Sequence, residues 1–416
     1  MDKVRQTAVF LQIYIIPDQV EPLKRLLDSA GNPAKKNSFF NLNQLDTVHF
    51  SRWVIAPAVG DFKASVIYSG NVDCSVENHL NDLVNGLSES LDQILSHCEG
   101  YPPKDNRTVN SRFLFLKSRS FKTPAFYVGV PNRSVKQIHK EQELHLALKQ
   151  FVLENKVEWK TDKEAYQAIC LFVKDDPKWD WARQDYKLPR KNIPKLIGFG
   201  LLVLIILPLV ILGVILVFLT SELWDKRKTF TINDIPIKRM QELKNKEDII
   251  YQNQLSQVFE TKRGIRKLML RFILWVTNFL ARNFAVEGQL MGTPTIHFAR
   301  WVFIDGGKRF VFFSNFDGSF DGYLGDFVDN NGWGLNAIYG AAKGYPRTWF
   351  LFAGGAYKVS RFMGWGRNTQ VDTQYWYSAY PWAGLQQINN KSRIRAALFD
   401  QGSLNSSEIR DLLRRI

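Results

Sequence analysis

The run LIGFGLLVLIILPLVILGVILVFLTS, from Leu196 to Ser221, contains no charged residue. It exceeds the roughly 20 apolar residues that cross a hydrocarbon core. A chain carrying it is expected to attach to a membrane through a segment over 194–223, in which Leu196, Pro208 and Leu219 face lipid. Pro208 stands near the middle, and each half is about 18 Å long as a helix, roughly half a bilayer. Lys187, Arg190, Lys191 and Lys195 precede the segment, and Lys226, Arg227 and Lys228 follow it. Basic residues at both ends give no orientation by the positive-inside rule.

The same strand is written on both sides of this segment. TVHFSRWVIAP begins at Thr47 and TIHFARWVFID at Thr295. Alternation along a strand puts His49, Ser51, Trp53 and Ile55 on one face, and Phe50, Arg52 and Val54 on the other. His297, Ala299, Trp301 and Phe303 repeat the first face; Phe298, Arg300 and Val302 repeat the second. Each copy continues into a hairpin strand, a turn with Asn and Asp, and a helix. Ser69, Asp73, Leu80 and Asp82 align with Ser314, Asp317, Leu324 and Asp326. Both regions run to Gly-Tyr-Pro, at Gly100 and Gly344, and then to RFLFLK and TWFLFAG, which read as strands. Shared order and spacing mark an internal repeat.

TAVFLQIYII reads as a strand, and PDQVEPLKRLLDSAG as a helix with a Pro start and a Gly stop. The first copy is then β-α-β-β-α-β, the ferredoxin-like unit. The second copy lacks a leading strand and helix just before Thr295, but DTQYWYSAYPWAGLQQI offers strand, Pro and helix afterwards. A circularly permuted second unit and a decorated C-terminus both fit.

One bare sheet face is most simply buried against a second sheet. The expected fold class is α+β: two ferredoxin-like repeats packed as a pseudo-dimeric α+β barrel, with an inserted hydrophobic membrane segment. Its parts are repeat 1 (1–133), a helical connector (134–193), the membrane segment (194–223), a basic linker with an interfacial amphipathic helix (224–290), and repeat 2 with C-terminal helices (291–416). This arrangement resembles the dimeric α+β barrel superfamily, whose paired sheets enclose a cavity. With its HFARWV, SNFDGS and YLGDF stretches, the chain also resembles a bacterial membrane-attached family for which the resemblance implies no activity.

One crossing would separate the repeats across the membrane and forbid such a barrel. A helical hairpin bent at Pro208 would keep them together, as would a return span through IRKLMLRFILWVTNFLARNFAV. The return stretch holds Arg271 and Arg282, which are costly in lipid. It reads better as an interfacial helix, with Trp275 dipping in and Arg271 on phosphates. The hairpin with both repeats cytoplasmic is the favoured arrangement, on the inner or cytoplasmic membrane. A kinked single span is its rival.

The net charge of +15 suits an anionic lipid surface. No zinc spacing, helix-turn-helix or RNA-binding strand motif accompanies it, so nucleic acid is not expected. Cys74, Cys98 and Cys170 are too few and too unevenly spaced for a disulfide framework, which suits a reducing compartment.

His49 and His297 are the first chemical candidates, as haem ligands or acid–base groups, or as strand histidines held by structural hydrogen bonds. Trp53 and Trp301 beside them would line a cavity or fill the core. Arg52 and Arg300 are expected to face the helices and to pair with Asp82 and Asp326, since a buried Arg needs a partner. SNFDGSFDGYLGDF offers Asp317 and Asp321 as ligand groups, or Asp317 and Ser319 as helix caps. Its Asn315-Phe316-Asp317-Gly318 faintly resembles a motif of the dye-decolourising peroxidases, without the leading Gly and with no His after His297. WFLFAGGAYKVSRFMGWGRN and QYWYSAYPW would form an apolar pocket for a lipid, quinone or haem, or simply core. Two functions follow: a membrane-anchored protein that holds an apolar molecule or a partner, with homo-oligomers open, or a haem-dependent peroxidase-type oxidoreductase using His297 or His49.

Overall fold

The computed structural model describes residues 4–30, 39–155, 158–184, 188–225, 230–285, 288, 290, 292–399 and 404–416. Lys187, Lys226, Arg227, Lys228 and Val286 therefore lie outside the described residues.

The chain is a mixed α+β protein with antiparallel sheets. The first half runs β1 (Thr7–Tyr14), α1 (Val20–Ser29), β2 (Val48–Ala56), β3 (Ser65–Val72), α2 (Val76–Gly86), α3 (Ser88–Leu95), α4 (Val109–Ser118), β4 (Ala125–Val128), α5 (Val135–Asn155) and α6 (Asp162–Asp175). The apolar helix α7 (Ile193–Val217) follows. The second half runs α8 (Ile237–Lys244), β5 (Gln252–Glu260), α9 (Ile265–Asn283), β6 (Ile296–Ile304), β7 (Arg309–Asp317), α10 (Phe320–Tyr339), β8 (Thr348–Trp349), β9 (Ala353–Gly354), α11 (Val359–Thr369), β10 (Thr373–Ser378), α12 (Leu385–Phe399) and α13 (Ser406–Arg415).

One sheet has the order β1-β3-β2-β10 and the other β5-β7-β6-β4. Each half thus supplies three strands to its own sheet and one to the other. The exchanged strand also touches its own sheet on the way. Phe121 N donates to Phe10 O at 2.9 Å before the chain pairs β4 with β6. Val371 N donates to Ser256 O at 2.9 Å before β10 pairs with β2. The two sheets are joined along both edges.

Several expectations change. The second half carries its leading strand and helix in order, as β5 and α9, so it is not permuted. Those elements fall within 224–290, which is therefore no mere linker. RFLFLK lies in α4, capped by Thr108 through a capping box with Ser111. TWFLFAG makes only the short β8–β9 hairpin. The fourth strands are β4 and β10, and α5 follows β4 as α12 follows β10. The helical connector is likewise built in: α5 and α6 share a core with α12 and α13 through Leu144, Ile169, Trp179, Leu398 and Leu412.

The face assignment is reversed. Trp53 and Ile55 pack with Leu23, Leu80 and Leu91 under the helices of the first half. Trp301 packs with Leu270, Leu324 and Tyr339 under α9 and α10. The Phe–Arg–Val face meets the opposite sheet instead: Phe10, Val54, Ile67, Val302, Val311 and Phe313 form one layer. The helices need a broad apolar surface, which the tryptophans supply. The order across the body is helices α1–α3, sheet, sheet, then helices α9 and α10.

α7 is one helix through Pro208, continuing as a π-turn over Phe218–Glu222. The hairpin bent at Pro208 is therefore excluded: the proline sits inside an unbroken helix, as spanning helices permit. α7 runs antiparallel along α9. Asn192 N donates to Asn283 O at 3.1 Å at one end, and Arg266 pairs with the buried Glu222 at 2.8 Å at the other. Between them Phe199 stacks on Phe279 at 3.9 Å, and Val217 packs with Met269.

His79 on α2 is fully buried, its Nε2 2.7 Å from the Tyr68 hydroxyl. Burial pushes it from 6.5 down to about 3. The unfolded chain binds this proton below pH 6.5 while the native protein does not, so stability falls as pH drops from 6.5 towards 3. At most this amounts to about 1.4 kcal/mol per pH unit. Urea melts of His79→Gln across this window are expected to show a shallower pH slope than wild type.

Candidate functional site

The histidines and arginines of the repeated strand converge where the sheets meet. In both β2 and β6 the pairing register shifts at the histidine: between Val48 and Phe50, and between Ile296 and Phe298. Such bulges re-aim a side chain and are found near functional positions. His49 Nε2 lies 2.7 Å from Asp73 Oδ1, and His297 Nε2 lies 2.7 Å from Asp317 Oδ1. The second oxygen of each carboxylate accepts a helix-starting N–H. Asp73 Oδ2 takes Val135 N at 2.8 Å, and Asp317 Oδ2 takes Leu385 N at 2.6 Å. Each pair therefore ties a bulged strand to the first turn of the helix after an exchanged strand, where orphan N–H groups favour an anion.

Both imidazoles are fully buried. The Tyr380 hydroxyl lies 2.9 Å from His49 Nδ1. With Nε2–H donated to Asp73, Nδ1 is the acceptor of that hydroxyl. Val130 occupies the matching position in the first half, since Ala379 N and Gly129 N bond His49 O and His297 O in turn. His297 Nδ1 has no hydrogen-bond partner among the described residues. Burial beside Asp73 and Asp317 holds the Tyr380 phenol well above its ordinary value. Asp317 is a cap, but of α12; Ser319 caps α10, accepting Gly322 N at 3.2 Å. Asp321 meets Arg367 at 3.0 Å.

The arginines do not meet Asp82 or Asp326. Arg52 donates to Leu255 O at 2.7 Å, Ser256 Oγ at 2.9 Å, Ser314 O at 2.7 Å and Asn315 Oδ1 at 2.5 Å, all on the opposite sheet. Arg300 returns the reach, donating to Val9 O at 2.6 Å, Gly70 O at 2.9 Å and Asn71 Oδ1. Register makes Val9 the counterpart of Leu255 and Gly70 that of Ser314, one residue off the sequence alignment of Ser69 with Ser314. The expected ion pairs fail because these side chains point between the sheets, where backbone oxygens take their protons. Burial and the nearby Arg300 lower Arg52 well below its usual range, and burial lowers Arg300 to about 9.

The remaining sequence candidates lie elsewhere. Trp53 and Trp301 are core. Trp365, Phe362 and Gly366 of the aromatic–glycine stretch line an apolar void of about 20 Å³ with Tyr323 and Tyr339. That is room for a water rather than a ligand, which needs roughly 300 Å³ or more. On the apolar helix Leu196 is half-buried, while Pro208 and Leu219 are exposed. Arg271 is exposed, its guanidinium 5.7 Å from the Phe303 ring, and Trp275 packs 5.1 Å from Phe199. An open cleft of about 810 Å³ between α12, α13 and the segment before α7 is lined by Arg190, Arg393, Arg415, Glu408 and Asp411; sequence reasoning gave no sign of it. No group of three or more His, Cys, Asp or Glu suited to a metal ion occurs among the described residues.

No family model matches this chain, and neither the curated proteins nor the solved structures contain a match.

Removing either arginine leaves buried acceptors without a donor, at about 3 kcal/mol. Arg52→Met and Arg300→Met are each expected to lower the urea midpoint accordingly. Arg300→Lys should recover less than half of that loss, because an ammonium cannot fork between the strands. Asp73→Ala and Asp317→Ala each lose a histidine partner and a cap, for about 2 kcal/mol in the same assay. Tyr380→Phe should cost about 1 kcal/mol, leaving His49 as His297 already stands.

Proposed function

We propose that this chain is a monotopic membrane protein that binds a partner at the membrane surface, with both halves on one side. The observation that carries this reading is that α7 is tied at both ends to one helix of the body while its outer face stays bare. One stripe, through Leu196, Phe199, Val203, Val210, Gly213 and Val217, turns inward. Leu204, Ile205 and Leu209 on the other side are 63, 76 and 70% exposed. A single crossing would part the two halves, which share each sheet through β4–β6 and β10–β2, and would pull on the Glu222–Arg266 pair, whose side chains are 2 and 1% exposed. Breaking such a pair costs about 3–5 kcal/mol. The helix is long and apolar enough to cross a membrane; held to the body at both ends, it lies instead in the plane of one leaflet.

In this reading the two halves are ferredoxin-like repeats forming a pseudo-dimeric barrel closed by their exchanged fourth strands. The matched bulges, matched arginines and edge bonds at Phe121 and Val371 support it. Phe10, Val54, Val302 and Phe313 fill the space between the sheets, so we assign binding to the surface. The cleft beside Arg190, next to the start of α7, has ligand size. The peroxidase reading draws no support from the site, because both imidazoles are fully buried and aromatic rings pack against them, Phe298 at 5.2 Å from His49 and Phe50 at 5.3 Å from His297. Three free cysteines suit the cytoplasmic face.

Topology tests the proposal. Single cysteines at Ser118 and Ser406, one in each half, are probed in intact cells with an impermeant thiol reagent, in a background lacking Cys74 and Cys170. Equal protection of both until the cells are opened is the expected outcome. Labelling of one alone would mean that α7 crosses and that the halves separate.

A further inference from the structure

The β8–β9 hairpin is built at a local cost. Phe352 N donates to Trp349 O at 3.2 Å, closing a four-residue turn. Its central residues, Phe350 and Leu351, have φ of 49° and 68°. That is the left-handed geometry for which hairpins use Asn-Gly, and each non-glycine residue there costs about 1–2 kcal/mol. The turn is nevertheless held firmly. Leu351 is buried against Val217 and Met269, and its N–H donates to Glu222 Oε1 at 3.1 Å. The fully buried Asn336 donates to Phe352 O at 2.7 Å and Gly354 O at 3.0 Å. What this framework displays is apolar. Phe350, Phe352, Trp333 and Tyr357 are 50, 43, 50 and 53% exposed.

These side chains continue the bare face of α7. Phe350 stacks on Phe218 at 4.2 Å, and Trp333 lies 6.3 Å from Phe352. The rim is basic: Arg347 sits 3.8 Å over the Trp349 ring, and Lys358 and Arg361 are exposed nearby. No acidic residue occurs between Asp329 and Asp372. Exposed aromatics with basic residues beside them, continuous with an apolar helix, match an anionic lipid surface.

We propose that the β8–β9 hairpin is a second lipid-inserting element, a rigid aromatic tip that enters the same leaflet as α7. The inference rests on the in-plane reading of α7. A helix alone leaves the body free to roll about the helix axis. A second contact to one side of it fixes the roll, and so fixes which surface of the body faces the cytoplasm.

The test uses full-length protein in vesicles of phosphatidylcholine and phosphatidylglycerol, with Cys74 and Cys170 replaced. Cys98 stays, since burial pushes its thiol up to about 12 and it does not label. An environment-sensitive fluorophore is attached at Phe350→Cys or, independently, at Phe352→Cys. Ile205→Cys on α7 is the lipid control and Asn85→Cys on α2, beyond both sheets, is the water control. Acyl-chain bromination is expected to quench the hairpin probes about twofold, as it does the Ile205 probe, while iodide spares them. Quenching at Ile205 with iodide-accessible hairpin probes would overturn the hairpin proposal and leave the membrane reading standing. Hairpin probes shielded from both quenchers would mean that a second copy covers the tip, which also overturns it. No bromine quenching at Ile205 would remove both readings.

Discussion

The reciprocal reach of Arg52 and Arg300 is the interaction on which the rest of the body depends. A guanidinium between two sheets is costly unless its protons are taken up. Here half of the acceptors are backbone oxygens, Leu255 O and Ser314 O for one and Val9 O and Gly70 O for the other. Those oxygens are in place only when the sheets are correctly registered and face each other. The arginines thus act as a register gauge: a slip by one residue would turn the carbonyls away and strand two charges in an apolar layer. Around them the exchanged strands close the edges, and the histidine–aspartate pairs fasten the helices that follow.

How much of this was legible in the sequence depended on which physical signal each element carries. β2 and β6 could be read because their copies are long and apolar on both faces. Of the fourth strands, β10 was read as a strand within DTQYWYSAYPWAGLQQI but given a leading place, and β4 could not be read. β4 is four residues long, and neither β4 nor β10 pairs with its own sheet over its length. β5 was missed because its sequence, QNQLSQVFE, is polar. The structure explains why: Gln252 donates to Tyr380 O and Ala383 O, Ser256 lies 2.8 Å from the Thr373 hydroxyl, and Gln257 donates to Gly366 O. A strand whose polar atoms are spent on tertiary contacts shows no hydrophobic period. Apart from the histidines, which the bulges turn to the arginine side, the strand faces were separated correctly but assigned the wrong way round, because an arginine was assumed to need a carboxylate. Of the site, the structural role of the histidines was among the readings weighed, and Asp73 and Asp317 were aligned. That each aspartate would cap a helix more than sixty residues away is a tertiary fact with no local trace.

The two halves share a frame and differ in their surroundings. Tyr380 stands where the first half has Val130, so one histidine is satisfied at both nitrogens and the other at one. The first half buries its helices against ordinary core and α1. The second packs α9 against α7 and carries the strained aromatic turn on the same side. The apolar surface is therefore the property of one half, and the polar cleft beside Arg190 opens next to its edge.

Strand exchange also imposes an order on biosynthesis. Arg52 is made long before Leu255 and Ser314, and α7 emerges between them. The first sheet lacks its last strand until Thr373–Ser378 has left the ribosome. A nascent chain thus displays its greasiest helix while its charged keystone is still unmatched. Closure of the body waits for every strand made after that helix, so the first sheet stays open at one edge until most of the chain has been made.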